Sequence, residues 1–239
     1  MKTKIAKRLL SAALALAAVI GMMMLGAPAA HARASIKDIL NSVKLTPVST
    51  GNSKYDERLE AIVGTGSTYD RVLRGYTWLA QNMTYDKFAS MDNTGNYWLD
   101  MAYGPLFTGR GSCKNYSAAT YYMLRYIGLP NVQRLSGYVL NRNGTLLYHK
   151  WNVVTLGGVC YLVDAQIEGS EYRRSGSISY KFFFKTLFTY RPTPFYFPIG
   201  VTSEAGGRML EQTLDRLGDP ANFIYSFLTS ISSIFLLFT

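Results

Sequence analysis

Cys113 follows a Gly109-Arg-Gly-Ser112 run and opens a segment with helical periodicity. A thiol in the first turn of a helix sits at the positive end of the helix dipole, which favours the thiolate, the nucleophilic form. The N–H groups of that turn have no partner within the helix and can receive an oxyanion. Glycines beside the thiol let a substrate backbone come close. The alternative is a buried structural cysteine, the commoner fate of a single Cys.

His149 and Asp164 become partners through a hairpin. Gly157-Gly158 is a two-residue turn signal, which sets Leu156 opposite Val159. Counting back from the turn, His149 falls opposite Gln166 and Trp151 opposite Asp164. Side chains alternate along strands, so these four share one face. His149 and Asp164 are then diagonal neighbours, about 7 Å apart at the backbone and within side-chain reach. A carboxylate there can hold an imidazole in one tautomer and stabilise its protonated form. Taken singly, His149 could be a satisfied core or surface histidine and Asp164 a turn residue at a strand end.

The elements that must position these groups are legible as periodicities. Ser112 can cap a helix that buries Tyr116, Ala119, Thr120, Met123, Leu124 and Ile127, and that Gly128 and Pro130 stop. The period then changes to two, and Val132–Asn141, Thr145–Leu156 and Val159–Ala165 read as strands. Ser177–Tyr190 reads as a further β-rich stretch. Upstream, Ser67-x-x-Asp70 caps an amphipathic helix over 69–82. Ser35–Val43 reads as a short helix, Thr46–Lys54 as linker, and Leu59, Ile62 and Val63 as one more short helical turn. Residues 84–111 read as a long irregular segment, of the kind that is usually functional when ordered.

The chain opens with four positive charges (Lys2, Lys4, Lys7 and Arg8), is uncharged from Leu9 to Gly26, and continues Ala27-Pro-Ala-Ala-His-Ala-Arg-Ala34. That order is expected of a secretory signal cut after Ala32 or after Ala34, with an uncleaved anchor as the alternative. Removing residues 1–32 lowers the net charge from +10 to +6 and leaves His149 as the single histidine. That excess suits work against an anionic cell surface, with a merely solvated basic surface as the commoner alternative, and nucleic acid is not expected as a partner. Residues 204–217 suggest a helix, and the closing Phe223–Thr239 carries no charge. That tail either packs on the domain or associates with a membrane.

Of the 239 residues, 48% are hydrophobic and 17% charged, which excludes a disordered chain. Two Cys exclude a disulfide-dense scaffold and a multi-cysteine metal site, and two His leave little room for a His-based one. An exported pair of Cys could form a disulfide. Yet Cys160 lies four strand residues, about 13 Å, from Asp164. A Cys113 close to His149 is therefore expected to be a free thiolate, with Cys160 slow and buried.

The chain resembles the transglutaminase-like superfamily. The matching runs are Tyr103–Cys113, Leu124–Pro130, Ser136–Val139, His149-Lys-Trp-Asn152 and Tyr161-Leu-Val-Asp164, within a resemblance covering about residues 67–190. The resemblance implies an α+β, papain-like core in which the helix bearing the nucleophile packs on an antiparallel β-sheet. It also implies roles: Cys113 nucleophile, His149 general base and acid, Asp164 orienter. The Cys-to-His interval of 36 residues is far shorter than in papain-type proteases. Cys160 stands where the family commonly has Trp, and Ala-Gln-Ile-Glu follows Asp164 where Pro-Thr or Thr-Trp is frequent.

The expected organisation is a signal peptide over 1–32, an N-terminal helical segment and linker over 33–66, a catalytic domain over 67–200, and a C-terminal helix and hydrophobic tail over 201–239. The expected function is that of an exported cysteine acyltransferase or peptidase working through an acyl-thioester, with no cofactor and no metal. Calcium dependence is not carried over, since no acidic ligand cluster is visible. Its substrate would be a protein or peptide, cell-wall peptide included. The competing expectation is an inactive cell-envelope binding or assembly module that retains the fold.

Overall fold

A computed structural model describes residues 34–140, 145–186 and 195–202. The expected signal segment, the helix over 204–217, the tail from Phe223 and residues 187–190 lie outside the described residues.

Helix α1 (Ile36–Ser42) and α2 (Ser53–Val63) lead into α3 (Thr68–Gln81). Each start is capped by a short polar side chain. The Ser35, Asn52 and Ser67 oxygens accept from the N–H of Asp38, Lys54 and Asp70, which would otherwise lack a partner. Strand β1 (Thr84–Tyr85) pairs in parallel with β2 (Arg110–Gly111). Between them lie α4 (Tyr97–Tyr103) and a π-helical turn over Gly104–Thr108. Helix α5 (Cys113–Ile127) follows and ends at Gly128, whose φ of 106° is the left-handed conformation a C-terminal glycine supplies. Strands β3 (Val132–Leu140), β4 (Leu146–Leu156) and β5 (Val159–Val163), helix α6 (Ala165–Ser175), and strands β6 (Phe183–Thr186) and β7 (Phe195–Thr202) complete the chain. The five-stranded sheet has order β6-β5-β4-β3-β7, and its pairs are antiparallel.

The expected hairpin register holds, with Leu156 opposite Val159 and Asn152 opposite Val163. Both turn glycines have positive φ, 55° and 79°, which suits the twist of the two strands.

Four sequence expectations are corrected. Segment 84–111 is irregular only over 86–96, because Asn96 caps α4 and an apolar face (Trp98, Leu99, Met101) buries against the core. The turn around Leu59 is an 11-residue helix, whose Tyr55, Leu59 and Val63 are fully buried. Of the Ser177–Tyr190 stretch, the described strand is confined to Phe183–Thr186, since residues 177–182 run as a loop. Strand β5 stops at Val163, not Ala165, because Asp164 caps α6. Alternation cannot reveal such a cap.

Helices α1 to α5 share one hydrophobic core with Val132, Val154, Leu156, Val163 and Phe183 of the sheet. Leu40, Tyr55 and Leu59, which precede residue 67, lie in that same core. A second, smaller cluster (Leu135, Trp151, Val153, Leu162, Phe182) covers the opposite face. Close helix approaches depend on two glycines. A Cβ on Gly75 would collide with the Met123 sulfur of α5. A Cβ on Gly169 of α6 would lie 2.7 Å from the Ala80 carbonyl oxygen of α3 and 2.7 Å from Met83 Cβ. Backbone cannot give way as a side chain can. Gly169→Ala is therefore expected to lower stability by about 1–3 kcal/mol in urea denaturation, by prising α6 from α3.

Candidate active site

The Gly-Arg-Gly-Ser run before Cys113 is clamped from several sides. Gly109 is left-handed (φ 68°), and a Cβ there would lie 2.6 Å from the Asn82 carbonyl oxygen. Its own carbonyl accepts from Thr84 N–H at 2.7 Å and from the Tyr116 hydroxyl at 2.9 Å. A Cβ on Gly111 would lie 2.8 Å from Asn115 Cβ. The protein's own packing thus requires both glycines, Gly109 against the Asn82 backbone and Gly111 against the Asn115, Pro105 and Tyr116 side chains. Asn115, buried one turn into α5, accepts from Ser112 N–H at 3.0 Å and from the Ser112 hydroxyl at 2.8 Å. It donates to the Met101 carbonyl at 2.9 Å, so the turn carrying the thiol is tied to α4.

The ladder between β4 and β5 stops at the Asn152–Val163 pair, so residues 149–151 of β4 have no β5 partner. The Cys113 sulfur reaches this edge and accepts from the Lys150 N–H. It also hydrogen-bonds the His149 side chain. On the other side of the imidazole, His149 Nε2 lies 2.6 Å from Asp164 Oδ2. The second Asp164 oxygen, Oδ1, accepts from Gln166 N–H at 3.1 Å and Ile167 N–H at 3.0 Å, capping α6. Cys113, His149 and Asp164 are all buried. The structure therefore brings the three sequence-predicted residues together. Gln166 does not face His149 across a ladder, as alternation implied. It lies in α6 and donates to the Ser170 hydroxyl.

The rest of the His149-Lys-Trp-Asn152 run holds this arrangement. The Trp151 ring lies nearly parallel to the imidazole, 6.0 Å between centroids. Asn152 Nδ2 donates to the Ser117 carbonyl of α5 at 3.1 Å. Lys150 Nζ, buried, donates to the Ser136 hydroxyl at 2.7 Å. From β3, Arg134 donates to the Lys114 carbonyl at 3.1 Å while its guanidinium lies 3.7 Å from the Trp98 ring centroid.

The charges reinforce one another. Burial pushes the Cys113 thiol up, but the hydrogen bond and positive charge of His149 and the Lys150 N–H outweigh it, and the thiol lies below its ordinary 9.0. Burial pulls His149 down, yet Asp164 by charge and hydrogen bond, with Cys113, raises it to about 10. Both shifts favour a buried thiolate–imidazolium pair with a carboxylate behind it. Tyr85 also borders the site, through the pairing of β1 with Gly111. Burial and the Cys113 charge raise its phenol, and half of the residue is exposed. Nothing in the sequence singled Tyr85 out, because its nearness to Cys113 exists only through that short parallel pairing. Among the described residues, no group of three or more His, Cys, Asp or Glu is placed to hold a metal ion.

The family model described as the transglutaminase-like superfamily matches residues 56–165. The similarity to that superfamily thus spans a little under half of the chain. The match begins at α2, upstream of the resemblance read from motifs, and ends one residue after Asp164. The chain is also similar to a solved structure of a protein proposed to be a cysteine protease, from Cytophaga hutchinsonii. The two are 19% identical with a TM-score of 0.39, over 51% of this chain and 40% of that one. A search of curated proteins found no match.

Both cysteines, Cys113 and Cys160, are free. Cys160 is partly exposed rather than buried, because it sits one rung from the exposed Gly157-Gly158 turn, with Thr155 Oγ1 at 3.4 Å from its sulfur. A pH series of iodoacetamide labelling is expected to show Cys113 already reactive below pH 9.0, with reactivity falling only as acid protonates the thiolate. Mass spectrometry of the unreduced protein is expected to show no peptide linking Cys113 to Cys160.

Proposed function

We propose that this chain is an exported cysteine enzyme that transfers an acyl group from a carboxamide or peptide bond through an acyl-thioester on Cys113. The observation that carries this reading is His149, buried and in hydrogen-bond contact with both Cys113 and Asp164. The family supports the coarser statement that the domain belongs among cysteine-dependent enzymes.

Under this reading the Cys113 thiolate attacks the carbonyl carbon of the substrate, and a carbon–sulfur bond forms as the carbonyl electrons move to oxygen. The oxyanion is received by N–H groups in the first turn of α5. Collapse breaks the carbon–nitrogen bond, and the His149 imidazolium gives its proton to the departing ammonia or amine. The imidazole, now neutral, accepts a proton from the incoming water or amine as that nucleophile attacks the thioester; the carbon–sulfur bond then breaks, the acyl product leaves, and thiolate and imidazolium are restored. Asp164 holds the ring in one orientation throughout and stabilises its charged form. His149 thus relays one proton per cycle from the acceptor to the leaving amine.

A protein or peptide suits the reaction as substrate, cell-wall peptide included, and amine against water as acceptor is read from the products. The basic, apolar and small-residue order of residues 1–34 supports export. N-terminal sequencing of secreted material should then begin at Arg33 or Ser35, and material still beginning at Met1 would overturn export by cleavage.

The triad test is a variant series assayed for amine-donor incorporation and for ammonia release. Cys113→Ala is expected to abolish turnover with the fold retained. His149→Ala should lower kcat on the order of a million-fold, and Asp164→Asn by a smaller factor, on the order of ten-thousand-fold. Full activity in the His149 variant would sink the mechanism, since His149 is the single histidine after residue 32.

A further inference from the structure

Glu168 is a fully buried carboxylate on α6, one turn after Asp164. Among the described residues no Lys, Arg or His forms an ion pair with it. An unpaired buried carboxylate is costly unless donors surround it. Here they do. Oε1 accepts from Ser179 N–H at 2.7 Å, the Ser179 hydroxyl at 2.7 Å and Tyr180 N–H at 3.0 Å. Oε2 accepts from the Tyr76 hydroxyl at 3.0 Å and Phe182 N–H at 3.3 Å.

These donors lead back to Asp164. The Phe182 carbonyl accepts the Asp164 N–H at 3.0 Å. The Tyr76 hydroxyl, fully buried on α3, shares its one proton between Glu168 and the Asp164 carbonyl oxygen, 3.3 Å away. The Glu168 N–H donates to that same carbonyl at 3.3 Å. Both backbone polar groups of Asp164 are therefore held by Glu168 or by its partners. The carboxylate of Asp164 must meet His149 at 2.6 Å while capping α6, and that double contact leaves little angular slack.

We propose that Glu168, acting with Tyr76, is a positioning residue that fixes the Asp164 backbone so that its carboxylate meets the imidazole. This rests on the reading of Asp164 as the group that orients His149. The two residues touch neither thiol nor imidazole, and they act through Asp164 alone. A buried carboxylate is suited to the task because it takes four or five donors at once, drawing α3, α6 and the 179–182 loop onto one point. Glutamine would present an N–H₂ to some of those donors and repel them.

The test uses the full chain and two variants, Glu168→Gln and Tyr76→Phe, the second removing only a hydroxyl. The chain has two histidines, His31 and His149, so nitrogen-15 histidine NMR follows the imidazole of His149 directly. The titratable groups acting on that imidazole are Asp164 and Cys113, and those acting on Tyr76 are Glu168, Asp164 and Tyr180. In both variants the His149 titration is expected to move down by about one unit, a tenfold change in proton affinity. In parallel, kcat is expected to drop about tenfold or more with KM little changed. A folded variant with a lower Tm but unaltered His149 titration and kcat would show a merely structural role and overturn the proposal. If Glu168→Gln does not fold, Tyr76→Phe decides. If His149 of the unaltered chain titrates at its ordinary value, the triad reading fails instead, which separates the two outcomes.

Discussion

The Asp164 carboxylate ends a strand, begins a helix and holds an imidazole, and the site depends on its doing all three. Oδ1 takes two N–H groups of α6, and this cap stops β5 at Val163. Because β5 stops there, β4 is left with an open edge at residues 149–151. Into that gap comes the Cys113 sulfur, accepting the Lys150 N–H that a longer β5 would have occupied. Oδ2 remains for His149. Strand termination, helix start and thiol docking are thus one event seen from three sides.

Burial works against each charge in this cluster taken singly, raising the thiol and lowering the imidazole. Together the charges reverse that effect. The imidazolium favours the thiolate, and the thiolate and carboxylate favour the imidazolium. Asp164 opposes the thiolate directly, yet it sits behind the ring, where its main effect is on His149. Removing the carboxylate would leave an imidazole with less reason to stay charged and a thiol with less reason to stay ionised. Water excluded from the pair cannot compensate, which is why the surrounding Trp151, Asn115 and Arg134 contacts matter to the chemistry as well as to the fold.

Placement of the thiol depends on α5 keeping its angle to the sheet. Asn152 fastens β4 to the Ser117 carbonyl, Arg134 fastens β3 to the Lys114 carbonyl, and Asn115 fastens the first turn to α4. All three side chains are buried and polar, so each loses water on folding and recovers it as a directed bond. Apolar residues in their places could bury as much area, but would not specify the height of Cys113 against the open strand edge. Gly169 and Gly75 serve the same end from the other side, letting α3 approach α6 and α5 closely.

Much of this was legible along the chain. The helix from Cys113 to Gly128 follows from a cap, a periodic face and a stop. The β4–β5 register follows from Gly157-Gly158, and it brought His149 and Asp164 within reach although the strand ends before Asp164. The family resemblance carried the order of Cys, His and Asp. Local patterns report period, caps and turns, and those are properties of neighbours in sequence. Contacts between distant segments leave no such mark. That Asp164 caps a helix, that Glu168 and Tyr76 meet behind it, and that Lys150 offers its N–H to a sulfur 37 positions earlier were decided only when α3, α5 and the sheet packed together. The glycines before Cys113 show the same division. Their presence is plain in the sequence, but tertiary packing against Asn82 and Asn115 supplies the reason that no side chain fits there.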